Sequence, residues 1–451
     1  MWRCSQAVQT TAQRWLRRNT STSQFARTHQ QHYSARLYSP SAFSITRAFG
    51  QSSLFNRPSI LSGSGSHPSL VGYGDVKTNN LLNQSNPLLI SCHAFSTRGG
   101  KRPRGPDFRG LQSVDEIIVV AYEHRDVMSR RDVSAFWTCI SKLMTKRQPK
   151  QRSKSSNNNN NIGELSFEDM EYMLFTIFDD TANRIKHFNA RELTEITLGM
   201  AKIIKILRQQ GKRRGEDSSR VILRRLLLSK DLNPNRELFK FFARASIDML
   251  DRFDARYLSN LAYAYALIDC VPEFDDGSDL FDHIAMNAVD CVEKKDGFET
   301  EALCQLYQWH LWQTKEKSNP GPSIELQDKC YDIFISKEPT VSKLQDDVVA
   351  QLSSIGLEPK EEVLMGSGYR IDAIVEVNGK TIGIEVDGPS HFIGRSKPTG
   401  STILKRRQVP SIDGIELVAV PHWEWNKLLG KDEVKRQDYL RKLLGLKSDN
   451  N

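Results

Sequence analysis

The stretch Tyr369–Phe392 reads YRIDAIVEVNGKTIGIEVDGPSHF. Two apolar, strand-forming runs flank Asn378-Gly379, the dipeptide preferred in two-residue type I′ turns, so the stretch predicts a β-hairpin. A two-residue loop fixes the register: cross-strand partners have numbers that sum to 757, and alternate residues share a face. One face pairs Val375 with Ile382, Ala373 with Ile384 and Ile371 with Val386; it is wholly apolar and should pack inward. The other pairs Glu376 with Thr381, Ile374 with Gly383, Asp372 with Glu385 and Arg370 with Asp387. Opposed like charges cost a sheet a few tenths to about 1 kcal/mol. A compensating group is therefore expected: a divalent metal, a nearby Lys or Arg, or a raised pKa on one acid.

Two readings of these acids are open. In the first, Asp372 and Glu385, joined by Asp387, hold Mg²⁺ beside a phosphate as the catalytic carboxylates of a metal-dependent nuclease. In the second they form a salt-bridged patch in which Arg370 neutralises Asp387 and reaches Asp372. A nuclease site of this layout wants a Lys two residues after Glu385, and Asp387 occupies that place.

The neighbouring segments extend the pattern to an α/β domain. TVSKLQDDVVAQLSSIG is an amphipathic helix with Leu344, Val348 and Leu352 spaced by four and Gly356 as its stop. After Gly388-Pro389 and His391, the segment STILKRRQV carries Lys405, Arg406 and Arg407. IELVAVP (Ile415–Pro421) reads as a buried strand, HWEW places Trp423 and Trp425 at its end, and DEVKRQDYLRKLL is a final charged helix. Arg370, His391, Lys405, Arg406 and Arg407 are candidate phosphate contacts. Trp423 and Trp425 are candidates for stacking on bases, the alternative being core packing.

The order IDAIV, IGIEVDGPSHF, TGSTILKRR and VPHWEW, with compatible spacing, resembles the RAP domain over about Leu344–Leu443. That resemblance implies a restriction-endonuclease-like α/β core in which Asp372 and Glu385 match the two acids of the nuclease-like fold. It also implies an organellar protein with a leader, a helical-repeat region and a C-terminal RAP domain. The partner implied is an organellar mRNA or rRNA, together with mitochondrial ribonucleoprotein or ribosomal factors. The roles implied are RNA processing, RNA stability, rRNA maturation or translation.

The rest of the chain fits that plan. Between Met1 and Gly74 there are eight Arg and no Asp, Glu or Lys. Of the formal net charge of +9, residues 1–104 supply +12, leaving −3 for residues 105–451. The high pI therefore belongs to an Arg-, Ser- and Thr-rich segment of transit-peptide composition, and it is no argument for nucleic-acid binding by the remainder. Import into the mitochondrial matrix is expected, with the plastid as the alternative. No stretch approaches the ~20 apolar residues of a membrane span. The seven cysteines are scattered without a CxxC, so no zinc site or disulfide framework is legible.

Residues 111–335 have helical periodicity, with a low-complexity break near 146–162 and a second basic break at Arg208–Ser219. FNARELTEI, FDARYLSNL and FETEALCQL, beginning at Phe188, Phe253 and Phe298, each place apolar residues five and eight positions on. They predict three helix-turn-helix units of a solenoid, with an insertion behind the wider first spacing. The expected organisation is multidomain: leader and linker over 1–110, an all-α repeat region over 111–335, and the α/β RAP domain over 340–446. The function expected is organellar RNA binding. A metal-dependent endoribonuclease and a non-catalytic protein-interaction scaffold are the alternatives.

Overall fold

In the computed structural model the described residues are 105–145, 165–210, 217–228, 234–293, 297–318, 321–336, 338, 342–393, 396–428 and 433–446. All belong to one compact unit, Phe95–Asn451. The expected leader, the low-complexity break and half of the second basic break (211–216) lie outside the described residues.

The helical part is built from one motif used four times. A first helix ends, a 3₁₀ turn or short connection follows, and an apolar residue then precedes a second helix. The pairs are α1 (Val114–Glu123) with α2 (Arg130–Thr145), and α3 (Phe167–Asn183) with α4 (Ala190–Gln210). After the single helix α5 (Ser218–Leu228) come α6 (Pro234–Ile247) with α7 (Ala255–Ile268), and α8 (Leu280–Glu293) with α9 (Thr300–Leu311). The second helices pack in sequence, α2 on α4 on α7 on α9, while α1, α3, α5, α6 and α8 form the other layer.

The sequence signature predicts three units; a fourth precedes them, with Met128 in the place of Phe. Its positions five and eight on, Val133 and Phe136, are fully buried, like Leu193, Ile196, Leu258 and Leu261 in the others. Side-chain caps start α2, α4 and α7, whereas Glu299 before α9 makes no such bond. Asn189 Oδ1 accepts from the Glu192 N–H at 2.9 Å, and Glu192 Oε2 accepts from the Asn189 N–H at 3.0 Å, a reciprocal capping box. Asp254 caps α7 by accepting from the Tyr257 N–H at 2.7 Å. The wider spacing between Phe188 and Phe253 accommodates α5, which sits between α3 and α6 in the outer layer. No described helix is long and apolar enough to cross a membrane.

A π-helical turn, Trp312–Glu316, and α10 (Ile324–Ile335) lead to the α/β part. It begins with α11 (Lys343–Ser354), followed by β1 (Lys360–Leu364), β2 (Arg370–Val377) and β3 (Lys380–Asp387). A small ribbon of β4 (Phe392–Ile393) and β5 (Lys397–Pro398) precedes α12 (Gly400–Asp413). Then come β6 (Glu416–Pro421), a helical turn α13 (His422–Trp425) and α14 (Glu433–Leu443). The main sheet has the order β1-β2-β3-β6, antiparallel except for the parallel pair β3/β6, which α12 connects.

The hairpin turns where expected, with Asn378 and Gly379 at φ 53° and 77°. Every pair from Val377↔Lys380 to Ala373↔Ile384 has the predicted register. Ala373, Val375, Ile382, Ile384 and Val386 join Val348 and Leu352 of α11, Val420, Trp425 and Leu440 in one core. Fully burying such a side chain is worth roughly 1.5–3 kcal/mol, so this core fixes both the strand faces and the helix that covers them.

One apolar residue departs from the expected face. A Cβ on Gly383 would lie 3.2 Å from Ile371 Cγ2 and 2.9 Å from Leu417 Cδ1, so Ile371 packs on the opposite side of the sheet, into the space that Gly383 leaves. The chain is turned there because β2 is distorted near Asp372. On its other side, β1 pairs with β2 at Glu361↔Ala373 and Val363↔Ile371 but not at Glu362, which sits at φ 51° in the left-handed region.

Candidate functional site

The distortion decides how the acids meet. Beyond Ala373↔Ile384 the Asp372 carboxylate enters the ladder, its Oδ2 accepting from the Val386 N–H at 2.6 Å. The expected face-to-face pairs Asp372–Glu385 and Arg370–Asp387 are therefore replaced. Arg370 turns toward β1, its Nη1 donating to the Glu362 carbonyl at 3.5 Å. The cations that neutralise β3 come instead from α12, 19 and 20 residues further on in the sequence. Lys405 Nζ lies 2.5 Å from Glu385 Oε2. Arg406 pairs with Asp387, whose Oδ1 is also 3.0 Å from His391 Nδ1.

Each partner has a positional cause. Parallel pairing with β6 holds Glu385, Val386 and Asp387 against Ala419, Val420 and Pro421. Gly388-Pro389 ends the strand in a 3₁₀ turn that swings His391 back over Asp387. Thr399 caps α12 and sets its rotation, putting Lys405 and Arg406 over the acids.

Burial governs the protonation of this set. Glu385 is 2% exposed, and loss of water pushes its carboxyl up to about 7 against the pull of Lys405. Burial raises Asp372 as well, with Lys405 and the Val386 N–H opposing. The hydrogen bond to Asp387 holds the His391 imidazole above its usual range. Glu362 was not singled out from the sequence. Its carboxylate accepts from Gln345 Nε2 at 2.8 Å and adds negative charge beside Asp372. A non-glycine residue with positive φ next to the acids is the signal that marks it, and such signals exist only in three dimensions.

The remaining predicted residues are dispersed. Arg407 joins the helical part, its Nε 2.8 Å from Glu316 Oε2 and its Nη2 donating to the Ala266 carbonyl at 2.9 Å. Trp425 is wholly buried and donates to Asp347 Oδ2 at 2.7 Å, so it has no open face for a base. Trp423 is half-buried, edge-on to Phe392 with ring centroids 4.3 Å apart.

His391 and Lys405 also open onto a cleft of about 640 Å³ between the α/β part and the helices α7 and α9. Tyr263, Thr300, Glu301, Gln305 and Gln308 line one wall, and Tyr369, Ser401 and Thr402 the other. The two sides are tied by a closed set of bonds. Gln308 Nε2 donates to Tyr369 Oη at 3.1 Å, Tyr369 Oη donates to Gln408 Oε1 at 2.8 Å, and Gln408 Nε2 donates to the Gln308 carbonyl at 2.9 Å.

Among the described residues no group of three or more His, Cys, Asp or Glu side chains could hold one. One oxygen each of Asp372, Glu385 and Asp387 bonds to a peptide N–H or a protein cation, while Glu385 Oε1 is buried without a hydrogen-bond partner.

A family model for the RAP domain matches residues 384–443. The C-terminal α/β region thus overlaps a RAP domain, from β3 to α14. The matched residues take in Glu385, Asp387, His391, Lys405, Arg406 and both tryptophans, whereas Asp372 and Arg370 lie before them. The chain is also similar to the rice (Oryza sativa subsp. japonica) RAP domain-containing protein, chloroplastic, being 38% identical over 109 residues. That match covers 24% of this chain and 16% of the relative, so the chain spans a small part of the rice protein's length.

Proposed function

We propose that this protein binds RNA inside an organelle and acts in RNA processing, stability, rRNA maturation or translation. The presence of a RAP domain at residues 384–443 carries the reading. The cleft supports it: an ammonium, an imidazole and several hydroxyl and amide groups converge on a space large enough for a nucleotide. The acid-free, Arg-rich segment from Met1 to Gly74 supports import, with the mitochondrial matrix as destination and the plastid as alternative.

The reading makes the RAP domain a binding module; the ion pairs of Glu385 with Lys405 and of Asp387 with Arg406 and His391 support it. Purified protein should shift single-stranded RNA with an affinity that falls steeply with salt, as phosphate contacts require. Absence of RNA binding at low salt would overturn it. Mg²⁺-dependent cleavage that Asp372→Asn abolishes would show an endoribonuclease instead. A protein partner retained after ribonuclease treatment, with no RNA crosslinked, would show a scaffold.

A further inference from the structure

The helical layer presents a row of lysines toward the RAP domain. Helices α2 and α4 cross at Gly199, where a Cβ would lie 3.2 Å from the Trp137 carbonyl oxygen, so the two backbones nearly touch. Beyond the crossing, Lys142 on α2 and Lys202 on α4 lie near enough for their charges to act on one another. Lys205 follows one turn later, 5% exposed, and donates to the Pro398 carbonyl of the RAP domain at 2.6 Å. Lys142 and Lys202 form no salt bridge or side-chain hydrogen bond among the described residues. The carboxylate that acts on Lys202 is Glu301, which is exposed and lines the cleft.

Lys205 is met by that carbonyl, but the charges of the exposed Lys142 and the half-buried Lys202 repel one another, and an anion from outside relieves that repulsion. Glu301 links the row to the cleft: its charge acts on Lys202, it lines the cleft with Lys405 and His391, and Lys205 ties the same helix to the Pro398 carbonyl. A linear polyanion with planar, hydrogen-bonding side groups matches both parts: phosphates on the lysines, and a base against the amides of Gln305 and Gln308 and the ring of Tyr263. An acidic polypeptide would use the lysines but not the cleft.

We propose that Lys142 and Lys202 form a track for the phosphodiester backbone of single-stranded RNA, which enters the cleft at Lys405 and His391 while Glu301 weakens the hold. This deepens the RNA-binding reading and rests on it.

The test is fluorescence anisotropy of the full chain with a labelled oligouridylate over a potassium chloride series. Lys142→Gln with Lys202→Gln should make the plot of log affinity against log salt shallower by about 1.4, two contacts at about 0.7 each for a single strand. Lys142→Gln alone changes an exposed residue and should give about half of that. Glu301→Gln, also exposed, should bind severalfold tighter, a gain that damage to the fold cannot produce. A wild type that binds RNA while the variants keep its slope and affinity would overturn the track and leave the RNA-binding reading standing. A wild type that binds no RNA would overturn both. Labelled polyglutamate that binds as tightly as RNA and loses the same slope in the double variant would assign the row to an acidic protein and overturn the proposal.

Discussion

Replacing Glu385 with Gln should stabilise this protein at pH 8. The carboxyl is 2% exposed, and burial lifts it from the ordinary 4.5 to about 7 even with Lys405 at 2.5 Å. The sign follows from linkage. Between pH 4.5 and 7 the folded state keeps a proton that the unfolded chain has released, so stability falls as pH rises through that window. Above pH 7 the accumulated loss is roughly 3 kcal/mol at 1.36 kcal/mol per pH unit. Gln reproduces the shape and neutrality of the protonated acid, so Glu385→Gln escapes the loss. Lys405 keeps some contact with water, with 18% of its side chain exposed, and is not stranded by the change. Asp372 and Asp387 lose a like-charged neighbour, which acts in the same direction. Urea unfolding followed by tryptophan fluorescence at pH 5 and pH 8 measures the difference. The variant should gain roughly 3 kcal/mol at pH 8 and less than about 1 kcal/mol at pH 5. Equal effects at both values, or a loss at pH 8, would refute the reasoning, since the Lys405 pair would then outweigh burial. A gain would mean that an ionised carboxylate is retained here against stability, as at binding and catalytic sites.

Three more outcomes follow from the packing. Gly400→Ala drives a methyl into Tyr263 Oη; it should cost roughly 1–3 kcal/mol, and Tyr263→Phe should restore most of it in the double variant, both read by urea midpoint. Asp372→Ala strips the Val386 N–H of its acceptor and should cost roughly 1–3 kcal/mol, whereas Asp372→Asn, which keeps an acceptor oxygen, should cost less. The His391 imidazole, followed by NMR, should titrate above 6.5 and return to or below it in Asp387→Asn; its stabilising contribution is complete below 6.5 and is lost as pH rises through the raised value.

The turn, the strand faces as far as Ala373 and the covering helix were legible because they depend on local rules: Asn-Gly sets the turn, alternation sets the face, and four-residue spacing puts Val348 and Leu352 on the sheet. The centre of the site was not. Register arithmetic treats Asp372 as a side chain on a face, and it cannot show that the carboxylate bonds to a backbone N–H and ends the ladder. The missing lysine beside Glu385 arrives from α12, and no strand rule reaches across that crossover. Arg407 and Trp425 share the residue types of the binding candidates. Their helix positions turned one toward Glu316 and the other into the core. Met128 hid the first repeat because the signature was keyed to Phe, although the burial pattern behind it is the same.

The closed set of Gln308, Tyr369 and Gln408, with Arg407 on Glu316 and Lys205 on Pro398, has a consequence for how such proteins can be recombined. The RAP domain is not a bead that can be threaded onto any string of helices. A chimaera that takes it from this chain must also take the surfaces of α4, α7 and α9, or it will expose amides and cations that have lost their mates. A protease cut between α10 and α11 should, for the same reason, leave two fragments that elute together until denaturant parts them.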